Sequence, residues 1–209
     1  MTRRERHESE HDDLARRAAR LVHDGDAPDI PSALRRVGGE STLRGRVRRH
    51  LDALEQADGG ADTTRQRVAA GLEIALAIME AVEDLEERTA DRGIPFAGIR
   101  LVGHAATGRL GPGESVHLRH HGDRPADDLA REFEDLGAIE LRLASVNTRW
   151  GRLSSIEGML DGLGFRLRRC PVGQVPIDAP HFTTGQPIPT ADSAAVERLL
   201  GTLQRPDRR

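Results

Sequence analysis

The chain has 209 residues, enough for one sizeable domain or for a small helical domain beside an α+β one. Aromatic residues make up only 2% and Tyr is absent, so a core has to be assembled from Leu, Val, Ile and Ala. A net charge of −3 excludes the strongly basic bulk footprint of a protein that coats nucleic acid, and the single Cys, Cys170, excludes an internal disulfide framework.

All 31 basic residues are Arg, since Lys is absent. No apolar run approaches the length of a membrane span, and the opening Met1-Thr-Arg-Arg-Glu-Arg-His lacks the apolar stretch of a secretory signal. The expected compartment is the cytoplasm, with no membrane partner.

In chain order, residues 1–10 are charged and read as disordered. From Asp12 the pattern turns helical, with Leu14, Ala18, Leu21 and Val22 on one side and Gly25 as the stop. Pro31 starts a short helix that ends at Gly38-Gly39. Ser41 or Thr42 caps a third helix carrying Leu43, Val47, Leu51 and Leu54, closed by Gly59-Gly60. The longest helix is expected over 64–91, where Val68, Leu72, Ala75, Leu76, Met79, Val82 and Leu85 form one stripe that Ile74 and Ile78 widen. Its acidic end (Glu83, Asp84, Glu86, Glu87) reads as a solvated face.

After Pro95 the period changes. Strands are expected over 99–102 and 115–119, a helix over 127–136, and an alternating strand over 138–143. A helix follows around Ile156, Met159 and Leu160, capped by Ser154, and then a strand over 165–169. Residues 171–189 contain five prolines and read as an extended surface connector. A last helix begins at Thr190-Ala-Asp-Ser and carries Val196, Leu199, Leu200 and Leu203; the final residues read as frayed. The expected organisation is a helical region at 1–92, an α+β core at 93–170, and a connector with a C-terminal helix at 171–209.

The most informative stretch is Leu101-Val-Gly-His-Ala-Ala-Thr-Gly-Arg-Leu-Gly-Pro-Gly-Glu-Ser-Val-His-Leu118. It reads as a strand end, a Gly-punctuated loop and a second strand, with Pro112 and Gly113 in the turn before that strand. Ser115 and His117, two apart, share a strand face. This layout resembles the signature of the minimal nucleotidyltransferases, relatives of the DNA polymerase beta superfamily, in which Gly-Ser is followed by Asp-x-Asp and an apolar residue on the next strand. Gly103 stands at the Gly position and His104 at the Ser position; Ser115 and His117 stand at the two Asp positions. The resemblance implies an α+β fold: an N-terminal helical region followed by a mixed β-sheet flanked by helices.

It also implies a chemistry that this chain alters. Phosphoryl transfer relies on metal ions that bridge phosphates, and magnesium wants hard carboxylate oxygens. A serine hydroxyl and an imidazole are poor substitutes. Gly103, His104, Gly108, Arg109, Ser115 and His117 remain the nucleotide-binding candidates, because a Gly-rich loop lets backbone N–H groups approach a triphosphate and Arg109 could meet it. Catalytic candidates are Glu114, one residue out of register on the second strand, and Glu140, at a third-acid position on a later strand. The expected function is therefore a nucleotidyltransferase-like protein without catalysis. It would act as a nucleotide-binding, regulatory or partner-interaction module, with Mg-nucleotide as ligand where binding is retained, and with a protein partner or a second copy on its helical surfaces. The alternative is an active metal-dependent enzyme with an atypical carboxylate set.

Four of the nine histidines, His104, His117, His120 and His121, lie within residues 104–121. A zinc-dependent hydrolase built on His104, His117 and His121 is a minor alternative, since imidazole suits zinc. His117 and His121 share a strand face and His120 points away. Arg35-Arg36, Arg44 to Arg49 and Arg166 to Arg169 could contact the phosphates of RNA or DNA locally, but acidic residues offset them across the chain and a mixed-charge surface is the expectation. Trp150 is expected near the surface, and Cys170, with no partner motif, carries no nucleophilic role.

Overall fold

The computed structural model describes residues 3–24, 26–27, 29–57 and 60–204, so Gly25 and Gly59 as helix stops and the frayed final residues lie outside the described residues. The fold is α+β: among the described residues, six α-helices accompany one six-stranded mixed sheet. The chain divides into two compact units. One comprises Met1–Arg67 together with Gly111–Ser115; the other comprises Val68–Leu110 and Val116–Arg209.

The first unit is built on α1 (Arg3–His23), α2 (Ile30–Val37) and α3 (Arg44–Ala57). Helix α1 begins at Arg3, so residues 3–10, expected to be disordered, continue the helix. Ala15, Ala18 and Ala19 give α1 a low-relief face, and against it pack Ile30, Ala33 and Leu34 of α2 and Val47 and Leu51 of α3. Asp29 caps α2 by accepting the Ser32 N–H at 2.7 Å, and Pro31 needs no donor in that first turn. Gly38 ends the helix in the left-handed region (φ 71°), where a residue with a Cβ is strained. A single 3-10 turn, Ser41–Leu43, leads into α3.

The Gly111–Ser115 segment belongs to this unit because it plugs into its core. A Cβ on Gly113 would come within 2.8 Å of Ile30 and 2.9 Å of Val22, so only glycine fits. The Gly113 carbonyl accepts the Ile30 N–H at 3.3 Å.

The second unit carries the sheet, in the order β3-β4-β5-β2-β1-β6. Its strands are β1 (Phe96–Val102), β2 (Val116–Gly122), β3 (Ile139–Thr148), β4 (Gly151–Leu160), β5 (Leu163–Cys170) and the short β6 (Thr190–Ala191). Strands β1 and β2 are antiparallel neighbours with Leu101 opposite Leu118 and Val102 opposite His117. On its other side β2 pairs in parallel with β5, which the chain reaches only after α5 (Ala126–Asp135) and the β3–β4 hairpin.

Helix α4 (Ala61–Arg88), α5 and α6 (Ser193–Gln204) contribute to one core with one face of the sheet. Leu72, Ala75, Ile78, Met79 and Val82 meet Ile99, Leu101, Val116, Leu118, Phe165 and Leu167, all buried. The α4 stripe read from the sequence is thus the core stripe.

Three expectations are corrected. Residues 154–160, expected to be helical, form β4: Ile156, Met159 and Leu160 mimic a helical spacing, but strands bond both edges of the segment. Gly158 leaves no room for a Cβ beside the Phe165 ring, at 3.1 Å. Residues 171–189 are irregular without being merely superficial, since Val175, Ala179 and Phe182 bury themselves against Leu153 and Cys170. The last helix starts at Ser193, after Thr190 and Ala191 have paired with β1; Asp192 then accepts the Ala195 N–H at 2.9 Å.

Candidate functional site

The Gly103–Leu110 connection is a tucked turn. Residues 104–107 form a short 3-10 turn, with Ala105, Ala106 and Leu110 buried in the sheet core. Its amides are largely committed to carbonyls: Gly103 donates to Pro189 at 2.9 Å, Ala106 to Gly103, Gly108 to Ala105, and Arg109 to His104. A cradle of free N–H groups from Gly103, Gly108 and Arg109 is therefore not what this turn offers. His104 and Arg109 are exposed, and Arg109 Nε donates to Thr107 Oγ1 at 3.2 Å.

Of the remaining candidates, Glu114, Ser115 and His117 are neighbours in the chain and only Glu140 lies apart. Glu114 and Ser115 sit in the first unit, where Glu114 accepts Arg48 at 2.6 Å and the Gly111 N–H at 3.0 Å, and Ser115 Oγ donates to Asp29 at 3.3 Å. His117 is half-buried on β2 of the second unit. Glu140 lies on β3 at a bulge with φ 54°. Two strands, β4 and β5, intervene between β3 and β2, which puts Glu140 about 14 Å away across the sheet. The strand beside β2 is β5, and the residue opposite His117 there is Arg166. A third acid is not at that position; a guanidinium is.

The histidines disperse. His121 is four residues along β2 from His117, roughly 13 Å at strand rise. Among the described residues no three His, Cys, Asp or Glu groups gather as a metal site.

What β2 and its neighbours do assemble is a row of arginines on the sheet face opposite the helices. The register sets Arg100 of β1 against Arg119 of β2, Arg119 against Arg168 of β5, and Arg168 against Ser155 of β4. The adjacent row runs Val102, His117, Arg166 and Glu157. Like charges directly opposite one another on strands repel, and Arg100 and Arg119 offset part of this by donating to the backbone carbonyls of Ile99, Ala179 and Pro180. Glu157 is 2.7 Å from Arg166. Burial, and then repulsion by Arg166, lowers the Arg168 pKa; burial first, with Arg168 adding repulsion, does the same at Arg119.

The segment after β5 covers one end of this face. Arg119 is buried and donates to the Ala179 carbonyl and, at 3.0 Å, to the Pro180 carbonyl; its guanidinium lies 4.0 Å from the Phe182 ring centre. Trp150, half-buried, meets the same ring edge-on at 5.2 Å. Among the described residues, Arg168 Nε, Ser155 Oγ and His121 Nε2 are buried without a hydrogen-bond partner. Cys170 is buried at this end, and desolvation pushes its thiol up to about 12, so it is inert at neutral pH. No helix among the described residues is long and apolar enough to cross a membrane.

His121 adds a pH response. Burial first, then the Arg119 charge, holds its pKa down at about 4, against an ordinary 6.5, while a hydrogen bond with the Val175 backbone partly offsets them. The unfolded chain therefore binds this proton more readily than the folded one. Stability from this group is complete above pH 6.5 and declines by roughly 3 kcal/mol as the pH falls to 4. Urea unfolding of a His121→Gln variant should lose much of that decline, and an unchanged slope between pH 6.5 and 4 would remove His121 as its source.

Sequence reasoning singled out Arg166 to Arg169 as a run but not Arg100 or Arg119. The alternation Phe165-Arg-Leu-Arg already places Arg166 and Arg168 on one face; the missing signal was which strand lies beside β5. In comparison with known proteins, no family model matches the chain and no curated protein matches it.

Proposed function

We propose that this chain is a nucleotidyltransferase-like protein that does not catalyse transfer and instead binds the phosphates of a nucleotide directly through arginine. The observation that carries this reading is Arg100 and Arg168, on either side of the covered Arg119, with His117 and Arg166 in the next row and Glu157 as the carboxylate paired to Arg166. In a metal-dependent relative, magnesium would stand between carboxylates and phosphate. Here guanidinium groups occupy the strands around the altered acid positions, and a guanidinium pairs with phosphate without a metal bridge. The antiparallel β1–β2 pair joined by a tucked turn supports the family resemblance, and the residues on it argue against transfer chemistry.

Nucleoside triphosphates should bind in EDTA at least as well as in excess magnesium, with no label moving to any acceptor. Replacing Arg168 by Gln should weaken that binding about tenfold, the value of one charge-assisted hydrogen bond of 1.5 kcal/mol or slightly more. Calorimetric titration with and without magnesium reads both. Label transfer from nucleotide, or no affinity for any triphosphate, would overturn the proposal.

A further inference from the structure

The first compact unit presents a second arrangement, independent of the sheet face. Helices α2 and α3 are joined by Gly38-Gly39-Glu40, with Gly38 in the left-handed region and a 3-10 turn into α3. Ala33 and Leu34 of α2, with Leu43, Val47 and Leu51, turn inward on α1. Two helices joined by a glycine-containing connection over residues 38–43 and backed by a third share the element order of helix-turn-helix units, in which the second helix enters the major groove of DNA. The inward residues fix what is left outside: Ser41 and Thr42 in the 3-10 turn and Arg44, Gly45, Arg48 and Arg49 on α3, all exposed.

Charge follows the same division. From Ala33 to Arg49 there are six arginines and a single acid, Glu40, although the chain as a whole carries −3. Arg35 and Arg36 stand exposed at the end of α2. Ser41, Thr42 and Gly45 add little bulk between the arginines, so a phosphate-lined groove can approach the helix closely. Arg48 is engaged by Glu114 at 2.6 Å, an exposed ion pair of the kind worth about 1 kcal/mol or less, which a phosphate can replace.

We propose that α3 docks in the major groove of duplex DNA, with Arg44 and Arg49 as its principal cationic contacts and Arg35 and Arg36 on the flanking backbone. The unit contains no Phe, Trp or Tyr, so it lacks the stacking platforms that hold single strands. The narrow major groove of duplex RNA does not admit a helix.

The test uses the full chain and a fluorescent 30-base-pair duplex of mixed sequence, read by anisotropy at several salt concentrations. Affinity should fall steeply with salt. The double substitution Arg44→Gln with Arg49→Gln should weaken binding at least tenfold and reduce the log–log salt slope by about 2, while Arg131→Gln on α5 changes neither. Duplex added to the unsubstituted chain should also slow amide exchange across residues 41–49. Preference for single-stranded DNA or duplex RNA, binding that the double substitution leaves intact, or unaltered exchange over 41–49 with duplex bound would each overturn the proposal.

Discussion

Substituting Glu86 by alanine will destabilise the fold by about 3–5 kcal/mol, the range for removing one partner of a buried ion pair. Glu86 on α4, expected from the sequence on a solvated acidic face, is instead buried, and its two oxygens accept Arg124 Nε at 2.8 Å and Nη2 at 2.7 Å, with His120 Nε2 at 3.0 Å. Arg124 and His120 are themselves among the most buried polar residues, at 1% and 0% exposure, so neither can turn to water when the carboxylate is lost. Burial raises the Glu86 pKa, but the hydrogen bonds from Arg124 and His120 more than offset it and hold the carboxyl below its usual 4.5. The contribution is thus present above pH 4.5 and disappears as the pH falls toward the folded value. Desolvation holds His120 below 6.5 in spite of Glu86, so the imidazole is neutral at pH 7 and donates to the carboxylate. Glu86→Gln keeps the shape and removes the charge, and should lie between the parent and Glu86→Ala in urea denaturation at pH 7. An alanine variant within 1 kcal/mol of the parent would mean the Arg124 guanidinium reaches solvent.

A comparable loss is expected from Phe133→Ala. Phe133 is wholly buried on α5 and meets the Phe165 ring of β5 edge-on, with centroids 5.4 Å apart. With Leu129 it is one of the two buried side chains of the helix, so truncation opens a cavity on the sheet that ten residues of helix cannot readily close. About 3–5 kcal/mol should go, lowering the melting temperature by on the order of 10 °C. Phe133→Leu retains most of the apolar volume and should cost under about 1.5 kcal/mol. Calorimetry distinguishes the two, and equal melting of parent and alanine variant would show that α5 does not rest on this ring.

What could be read from the chain divides along the reach of the physics involved. The α4 stripe, the β1–turn–β2 segment and the parity of His117 and His121 depend on neighbours a few residues apart, and all were legible. The identity of β4 was not, because Ile156, Met159 and Leu160 satisfy a helical period and only pairing on both edges settles the matter. Strand order is less local still. With β5 inserted beside β2, Glu140 is remote and Arg166 and Arg168 become neighbours of His117 and Arg119. No spacing rule in the sequence encodes that insertion. The helix α1 over residues 3–10 was missed because a charged segment with few apolar residues carries little periodicity.

Gly111–Ser115 bears on how the protein can be taken apart. The backbone passes from one unit to the other three times, after Arg67, after Leu110 and after Ser115. No single cut yields a complete helical fragment: residues 1–67 expressed alone would leave Val22, Ile30 and Leu51 with a vacancy where Gly113 sits, and Arg48 without Glu114. Dissection by truncation will therefore report damage to the excised piece as though it were lost activity, whereas point substitutions in the intact polypeptide avoid that confusion.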